Sequence, residues 1–198
     1  MENTNGNKFN VIKEKYSDKI EEFAKQKAEI HRLWNIDDET AKYLFNFILE
    51  KRCKQLIEVG TSNGFSTFWQ ATACSYNSGE LDTIEVDESR YNLSKSNLEG
   101  INNITQHFGM AEEVIPNLDK TFDYAFLDAG KIGYIKYIKL LIPKLQDTAI
   151  VIADNIISHK KTVQEYLDFI NLDQQFENVL IEIGSGLMVS YFKRERIK

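Results

Sequence analysis

Two carboxylates and an amide follow apolar segments of this chain, and together they could bind a hard metal ion. Asp128 comes directly after the apolar run Phe122–Leu127, and Asp154 and Asn155 directly follow residues 149–153. Parallel strands buried on both faces end at a common edge of the sheet, where open α/β folds bind ligands. An all-oxygen set suits Mg²⁺, with Mn²⁺ or Ca²⁺ as alternatives. The two aspartates could instead serve only as helix caps.

Lys131 stands three residues after Asp128, where its amine could reach the oxygen of a bound substrate. A neighbouring divalent cation would favour the neutral amine, which is the form that can accept a proton. A lone lysine after a loop glycine is more often simply solvated. The residue itself therefore leaves both interpretations open.

Residues 56–66 predict a strand, a tight turn and the start of a helix. The apolar run contains Glu58 and ends at Gly60, and Gly64 closes the turn. Glycine allows backbone N–H groups and a helix N-terminus to approach a ligand closely. The dinucleotide motif Gly-x-Gly-x-x-Gly requires a glycine where this chain has Ser62, so the turn is a poor pyrophosphate cradle. We expect it to hold a smaller group.

The next predicted strand, residues 81–86, has an acidic residue near its end that could also contact a ligand. Glu85 stands where a carboxylate can accept both hydroxyls of a ribose. A ribose site without a pyrophosphate cradle indicates a nucleoside cofactor. Glu58 and Glu85 could alternatively be ordinary charges at strand ends.

The order of the predicted elements is that of an α/β sheet covered by helices on both faces. Asp37 or Asp38 caps a helix before the first strand. Predicted strands cover Gln55–Val59, 81–86, Ile104–Phe108, Phe122–Leu127 and 149–153, and predicted helices cover 66–74, 88–98, 132–145 and 161–170. Residues 179–183 and 187–192 are joined only by Gly184-Ser185-Gly186, which predicts an antiparallel hairpin. The expectation is a mostly parallel seven-stranded sheet with an antiparallel C-terminal hairpin.

Length and composition are those of one globular domain. The 198 residues are 42% hydrophobic and 27% charged, without an apolar run long enough to span a bilayer or a secretory signal at the N-terminus. We expect a cytoplasmic protein in which Cys53 and Cys74 are reduced. The formal charge of −6 argues against a large nucleic-acid interface. Residues 1–36 are interpreted as a loose arm followed by an accessory helix, and 37–198 as the domain.

The motifs together resemble the class I S-adenosylmethionine-dependent methyltransferases, and more narrowly the cation-dependent O-methyltransferases of the catechol and caffeoyl-CoA type. The likeness runs from about Asp37 to Phe192, and Ile57-Glu58-Val59-Gly60-Thr61, residues 122–131 and residues 151–155 carry it. The resemblance implies a Rossmann-like fold, S-adenosylmethionine as cofactor, a divalent cation and a hydroxylated acceptor. Relatives of this type are often dimers, so a homodimer is also an expectation.

The resemblance implies roles for single residues as well. Lys131 is the implied catalytic base, and Asp128, Asp154 and Asn155 are the implied metal ligands. The implied cofactor-binding residues follow the ends of the strands, and they are Glu58, Gly60, Thr61, Ser62, Gly64, Ser66, Glu85, Val86, Gly109, Met110, Ala111 and Asp128. Phe108-Gly109-Met110-Ala111 is the implied adenine pocket.

The acceptor is left open by two departures from the resembled pattern. Gly130 stands where catechol enzymes carry a bulky aromatic residue, and the region before Gly184 offers Val179 where an acid would hold a second catechol hydroxyl. A small aromatic acceptor is the first expectation. The alternatives are that the acceptor is a hydroxyuridine in tRNA, or that the protein is a non-catalytic S-adenosylmethionine-binding module.

The three histidines are further candidates for the site. His107 is expected to be packed, and His159 could line the mouth of the site. His31 is the third candidate.

Overall fold

The computed structural model of the protein describes residues 4–30 and 33–194, which form a seven-stranded sheet with helices on both faces. The strands are β1 (Gln55–Val59), β2 (Glu80–Glu85), β3 (Ile104–Phe108), β4 (Phe122–Leu127), β5 (Leu145–Ala153), β6 (Phe176–Ile181) and β7 (Leu187–Phe192). Across the sheet they lie in the order β3-β2-β1-β4-β5-β7-β6. β7 runs antiparallel to β5 and β6, and the other neighbouring pairs are parallel. The predicted Rossmann-like sheet with its antiparallel hairpin is confirmed.

The predicted helix over 132–145 is divided in the structure. In its place the chain forms a 3-10 turn (Lys131–Gly133), an α-helix (Tyr134–Leu141) and a second 3-10 turn (Ile142–Lys144) that contains Pro143. Proline lacks the N–H that would continue an α-helix. The helices are α1 (Thr4–Lys15), α2 (Ser17–Glu29), α3 (Asp38–Lys51), α4 (Phe65–Ser75), α5 (Glu88–Asn97), α6 (Ala111–Asn117), α7 (Tyr134–Leu141) and α8 (Gln164–Leu172).

The expectation of a loose N-terminal arm is wrong for residues 4–15, which form α1. Phe9 and Ile12 are buried in the same apolar cluster as α3 and α4. The Phe9 ring stacks on Trp69 with the two ring centroids 4.2 Å apart. Full burial of one large apolar side chain contributes about 1.5–3 kcal/mol, so two such anchors hold a segment whose composition is otherwise polar.

The sheet separates two apolar cores, and alternate residues of its central strands belong to different cores. In β4, Tyr124 and Phe126 pack with α3 and α4, whereas Ala125 and Leu127 pack with α7 and α8. A strand buried on both faces reads as a continuous apolar run. The central strands are therefore rigid supports for the residues that follow them.

The register of the parallel strands brings the chemically active residues to one edge. Val59 lies opposite Leu127, and Leu127 lies opposite Ala153. The ladder extends one residue further, because the Asp128 N–H donates to the Val59 carbonyl and the Asp154 N–H donates to the Leu127 carbonyl, both at 3.0 Å. The residues after β1, β4 and β5 consequently lie side by side.

None of the helices within residues 4–30 and 33–194 combines the length and the apolar character that crossing a bilayer requires. Cys53 and Cys74 are both buried free thiols.

The Asp37 cap is as predicted, since its Oδ1 accepts a hydrogen bond from the Thr40 N–H at 2.7 Å. β6 covers Phe176–Ile181 and not 179–183, because Phe176 pairs with Phe192 on β7.

Candidate functional site

The carboxyl edge of the sheet opens into a cavity of about 620 Å³. This volume is in the range of small-molecule sites. Residues that follow the five parallel strands form most of the lining, and Trp34 adds a wall from the segment before α3. The predicted cofactor residues that line the cavity, besides Asp128, are Gly60, Ser62, Glu85, Val86, Gly109, Met110 and Ala111.

The turn after β1 passes so close to β4 that only glycine fits at its first position. Gly60 has a φ of +106°, and a Cβ at this position would lie 2.5 Å from the carbonyl oxygen of Asp128. Ser62 lines the cavity, and its N–H donates to Glu85 Oε2 at 2.8 Å. The Ser62 hydroxyl is buried and has no hydrogen-bond partner in the described part of the chain. Buried polar atoms are normally paired, so this hydroxyl is a candidate ligand contact.

Glu58, which was predicted as a cofactor contact, is fully buried and does not line the cavity. Its carboxylate accepts hydrogen bonds from Ser66 Oγ at 2.6 Å, Gln70 Nε2 at 2.7 Å and Thr83 Oγ1 at 2.7 Å, and also from Thr67. These bonds tie β1 to β2 and to the first turns of α4. Glu58 thus stabilises the glycine turn on the side that faces away from the cavity.

Three more predicted cofactor residues lie behind the turn and outside the cavity lining. Thr61 is buried with its Oγ1 2.6 Å from Thr83 Oγ1, and the Ser66 hydroxyl is occupied by Glu58. Gly64 has a φ of +92° and forms the N-cap of α4. In the structure these residues shape the turn, and its cavity-facing surface is formed by Gly60 and Ser62.

The buried Glu58 predicts a pH-dependent stability. Burial raises the pKa of Glu58 to about 7, although the four hydrogen bonds oppose this shift. Between the unfolded value of about 4.3 and pH 7 the folded protein binds more protons than the unfolded chain, so stability falls as pH rises. From about pH 5 to pH 8, the free energy of unfolding of the wild type should fall by about 1–3 kcal/mol more than that of Glu58→Gln. Urea denaturation across this range tests this, and parallel pH curves for the two proteins would contradict it.

Most of the hydrogen-bonding capacity of the Glu85 carboxylate is used by donors of the protein itself. Less of it is therefore left for the predicted contact with a ribose. Its Oε1 accepts from the N–H groups of Val86 and Asp87 and from Nε and Nη2 of Arg90. Among the described residues, Oε2 accepts only from the Ser62 N–H. A carboxylate oxygen can accept two hydrogen bonds, so Oε2 retains room for one ribose hydroxyl. Arg90 also lines the cavity, and no local sequence motif singled it out.

Lys131 and Asp128 are in direct contact at the cavity wall. Lys131 Nζ donates to Asp128 Oδ1 at 2.8 Å, and Asn155 lines the same cavity. Asp154 is buried, and its Oδ1 accepts from the Asn155 N–H at 2.7 Å. Asn155 has a φ of 64°, a left-handed conformation that asparagine tolerates better than most residues. The structure thus brings the four residues predicted for catalysis and metal binding to one place.

The cluster carries negative charge in excess when both of its carboxyl groups are ionised. Burial raises the pKa of Asp128 to about 7; the ammonium of Lys131 opposes this shift, and the charge of Asp154 adds to it. Burial likewise raises the pKa of Asp154. Two buried carboxylates thus share one ammonium group. A divalent cation would offset the negative charge that the single ammonium group leaves unbalanced.

The donor atoms of the cluster fit a hard cation. In the described part of the chain, Oδ2 of Asp128 and Oδ2 of Asp154 accept no hydrogen bond, and Asn155 adds an amide oxygen. Residues 4–30 and 33–194 contain no group of three or more His, Cys, Asp and Glu side chains that could hold a metal. The protein would therefore supply only two carboxylates and an amide, and Mg²⁺ commonly keeps several water ligands in such sites.

Tyr134 is a supporting residue that the sequence did not reveal. Its buried hydroxyl lies 2.8 Å from the carbonyl oxygen of Leu127 and 3.2 Å from that of Asp154. It therefore joins the ends of β4 and β5. Lys131 Nζ lies 5.5 Å from the centre of the Tyr134 ring. In the sequence Tyr134 is only one apolar position of a helical face.

The mouth of the cavity is partly aromatic. Trp34, Tyr137 and His159 contribute to its lining, and the Trp34 side chain is 71% exposed. His159 lies where it was predicted to lie. A Cβ added to Gly130, which also lines the cavity, would meet nothing within 4 Å. The mouth therefore has flat walls and open space beside the Lys131 amine.

The other two histidines take no part in the described lining. His107 Nε2 lies 2.7 Å from Oδ1 of the buried Asp82, which agrees with the prediction of a packed residue. His31 lies outside the described residues.

Val179, which stands where an acid would hold a second catechol hydroxyl, is 43% exposed on β6 and does not line the cavity.

The chain is similar to proteins of one enzyme family. The family model described as O-methyltransferase matches residues 8–191. A catechol O-methyltransferase of Niastella koreensis is 31% identical over 121 residues, which cover 58% of this chain and 54% of the relative. One from Mycobacterium tuberculosis is 28% identical over 138 residues, which cover 68% of this chain and 62% of the relative. The chain thus spans less than two thirds of the length of these two relatives.

A solved structure shares the fold over nearly the full length. The SAH-bound methyltransferase PaMTH1 of Podospora anserina has a TM-score of 0.81 and 15% sequence identity, with 98% of this chain and 97% of that chain covered. At this identity the likeness shows the fold alone. The family model, in contrast, matches well over half of the sequence, with the cavity inside the matched segment. The chain therefore belongs to the O-methyltransferase family.

Proposed function

We propose that the protein transfers a methyl group from S-adenosylmethionine to a hydroxyl of a small aromatic acceptor in a cation-dependent reaction. The observation that carries this proposal is the contact between Lys131 Nζ and Asp128 Oδ1 at 2.8 Å, beside Asn155 in the cavity. The contact supports the proposal, because the proposed proton acceptor and the candidate cation ligands would then lie at the edge of the sheet that also carries the glycine turn.

The cofactor would lie between the turn after β1 and the ends of β2 and β3. Glu85 Oε2 has room for one ribose hydroxyl, and the unpaired Ser62 hydroxyl can bond to the polar methionine part. The backbone around Gly109 lines the cavity next to Met110 and Ala111, which suits a flat adenine ring. PaMTH1, which has the same fold, is described as SAH-bound.

The residues at the ends of β4 and β5 would carry the acceptor chemistry. Asp128, Asp154 and Asn155 would hold the cation, which when bound lowers the pKa of an acceptor hydroxyl and orients it. Lys131, in its neutral amine form, would take the proton from that hydroxyl. The chain's own residues then hold acceptor and methyl donor in near-attack geometry, which can account for a large part of a rate enhancement.

The acceptor would enter through the aromatic mouth. Trp34 and Tyr137 provide flat apolar surface, and Gly130 leaves space beside the amine. A planar ring fits such walls, because aromatic pairs stack or meet edge to face. The curated relatives named above are catechol O-methyltransferases, although this chain has Val179 where an acid would hold a second hydroxyl.

A methyl-transfer screen tests the proposal. The protein would be incubated with methyl-labelled S-adenosylmethionine and catechols, acyl-CoA phenols or hydroxyuridine-containing tRNA, each with Mg²⁺ or with EDTA. We expect label in a phenolic acceptor with Mg²⁺ and its loss with EDTA. Transfer only to tRNA would assign the acceptor to RNA, and transfer unaffected by EDTA would exclude the cation. Cofactor binding without transfer to any acceptor would favour a binding module.

A further inference from the structure

A largely buried amide cluster joins the N-terminal helix α2 to the glycine turn of the site. It consists of Gln26 on α2, Asn63 within the turn and Asn97 at the end of α5. Gln26 Nε2 donates to Asn97 Oδ1 at 3.0 Å, and Asn97 Nδ2 donates back to Gln26 Oε1 at 2.7 Å. Asn63 Nδ2 also donates to Gln26 Oε1, at 3.2 Å. The Gln26 side-chain amide is thus bonded at both of its ends.

The cluster fixes the backbone of the turn as well as its side chain. Asn97 Nδ2 donates to the Asn63 carbonyl oxygen at 2.9 Å. Asn63 directly follows Ser62, whose N–H binds Glu85 and whose unpaired hydroxyl lies at the cavity. A shift of Asn63 would therefore move the Ser62 N–H that binds Glu85 and the Ser62 hydroxyl at the cavity.

The contact surface of α2 explains why a glutamine is needed there. Phe23 and Gln26 are the buried residues of this helix. Phe23 packs edge to face on Phe65, in the first turn of α4, with ring centroids 5.6 Å apart. A buried amide is costly unless its donors and acceptors are paired, and an apolar residue could fill the same space at lower cost. The reciprocally paired amides of Gln26 and Asn97 hold one defined arrangement, which apolar contacts alone do not specify. Asn63 Oδ1, in contrast, has no hydrogen-bond partner in the described part of the chain.

We infer that Gln26 is a positioning residue for the cofactor, so that α2 forms part of the cofactor site without touching the ligand. This inference rests on the proposed function in taking S-adenosylmethionine as the ligand. Gln26 acts through Asn63 and Asn97, which hold the Ser62 segment in its binding geometry. Loss of the cluster should weaken cofactor binding and leave the methyl-transfer step itself intact.

The test compares Gln26→Ala, Asn97→Ala and the double variant in the full chain. Calorimetry with S-adenosylhomocysteine should show a Kd raised about 5- to 20-fold for each single variant. The double variant should be little weaker than either single one, because members of one network are not additive. With an acceptor found in the screen, KM for the methyl donor should rise by a similar factor while kcat changes less than about twofold. Lys25→Ala, on the exposed face of α2, is the matched control and should bind like the wild type.

The outcomes separate this inference from the proposed function. Absence of S-adenosylhomocysteine binding by the wild type would overturn the proposed function. Wild-type binding together with an unchanged Kd in both single variants would overturn only the role of Gln26, and so would fully additive effects. If Gln26→Ala fails to fold, Asn97→Ala decides alone, since Asn97 lies at a partly exposed helix end. A lowered melting temperature with unchanged Kd and KM would mean a purely structural role.

Discussion

Replacing Lys131 with alanine is expected to lower kcat by about 10²–10⁴-fold, the usual contribution of a general base. The Kd for S-adenosylhomocysteine should change little, because Lys131 lies after β4, whereas the proposed cofactor contacts other than Asp128 follow β1, β2 and β3. Its ammonium group donates to Asp128 Oδ1 at 2.8 Å and its side chain is mostly buried. Single-turnover transfer of a labelled methyl group measures the chemical step, and calorimetry measures binding separately.

Two further variants make the Lys131 prediction specific. Lys131→Arg keeps a positive charge beside Asp128, but arginine stays protonated in proteins and cannot act as a base. Its kcat should therefore be nearly as low as that of Lys131→Ala. Lys136→Ala, at an exposed position on α7, should retain full activity. Full turnover by Lys131→Arg would mean that the amine contributes charge and not proton transfer.

Replacing Asp154 with asparagine is expected to have opposite effects on cation binding and on stability. Loss of one of two carboxylates should raise the Mg²⁺ concentration for half-maximal activity by at least about 10-fold, since Mg²⁺ is held by few protein oxygens. In EDTA the same variant should unfold at a higher temperature than the wild type at about pH 8. Burial raises the pKa of Asp154, so its ionised form destabilises the metal-free fold as pH rises above the unfolded value.

Magnesium titrations of activity, calorimetry with Mg²⁺ alone, and thermal unfolding in EDTA at several pH values test the Asp154 prediction. The stability gain should shrink as pH falls towards 4, because the wild-type carboxyl group of the folded protein becomes protonated, and it should vanish below the unfolded pKa of about 3.9. Asp119→Asn, at an exposed position before β4, is the matched control for removal of one negative charge. Unchanged Mg²⁺ binding in Asp154→Asn would remove Asp154 from the ligand set.

Local sequence patterns were sufficient for the sheet and for the residues at its carboxyl edge. A continuous apolar run such as Phe122–Leu127 forms a buried strand, and the next polar residue must lie at the strand end. The positions of Asp128, Lys131 and Asn155 in one cavity follow from this rule together with the parallel order of the strands. Exact element bounds were less predictable, because β6 ends where its pairing with β7 ends.

Side-chain direction was not determined by the same patterns. Glu58 and Glu85 both stand near strand ends, yet Glu58 faces buried hydroxyls and Glu85 faces the cavity. Two acidic residues near the ends of two strands look alike in the sequence, although the register pairs Glu58 with Thr83, two residues before Glu85. Which one faces a ligand depends on the packing of α4 against β1, which brings Ser66 and Gln70 to Glu58.

The sequence by itself therefore determined the fold class, the edge that carries the chemistry, and the family resemblance that the family model confirms. Only the tertiary structure decided which residues support that edge. Gln26 meets Asn63 across 37 residues and Asn97 across 71 residues. Periodicity records only which face of a nearby element is buried, whereas such contacts depend on how distant elements pack. For this reason Gln26 became a candidate for cofactor positioning only once α2 was placed against the glycine turn.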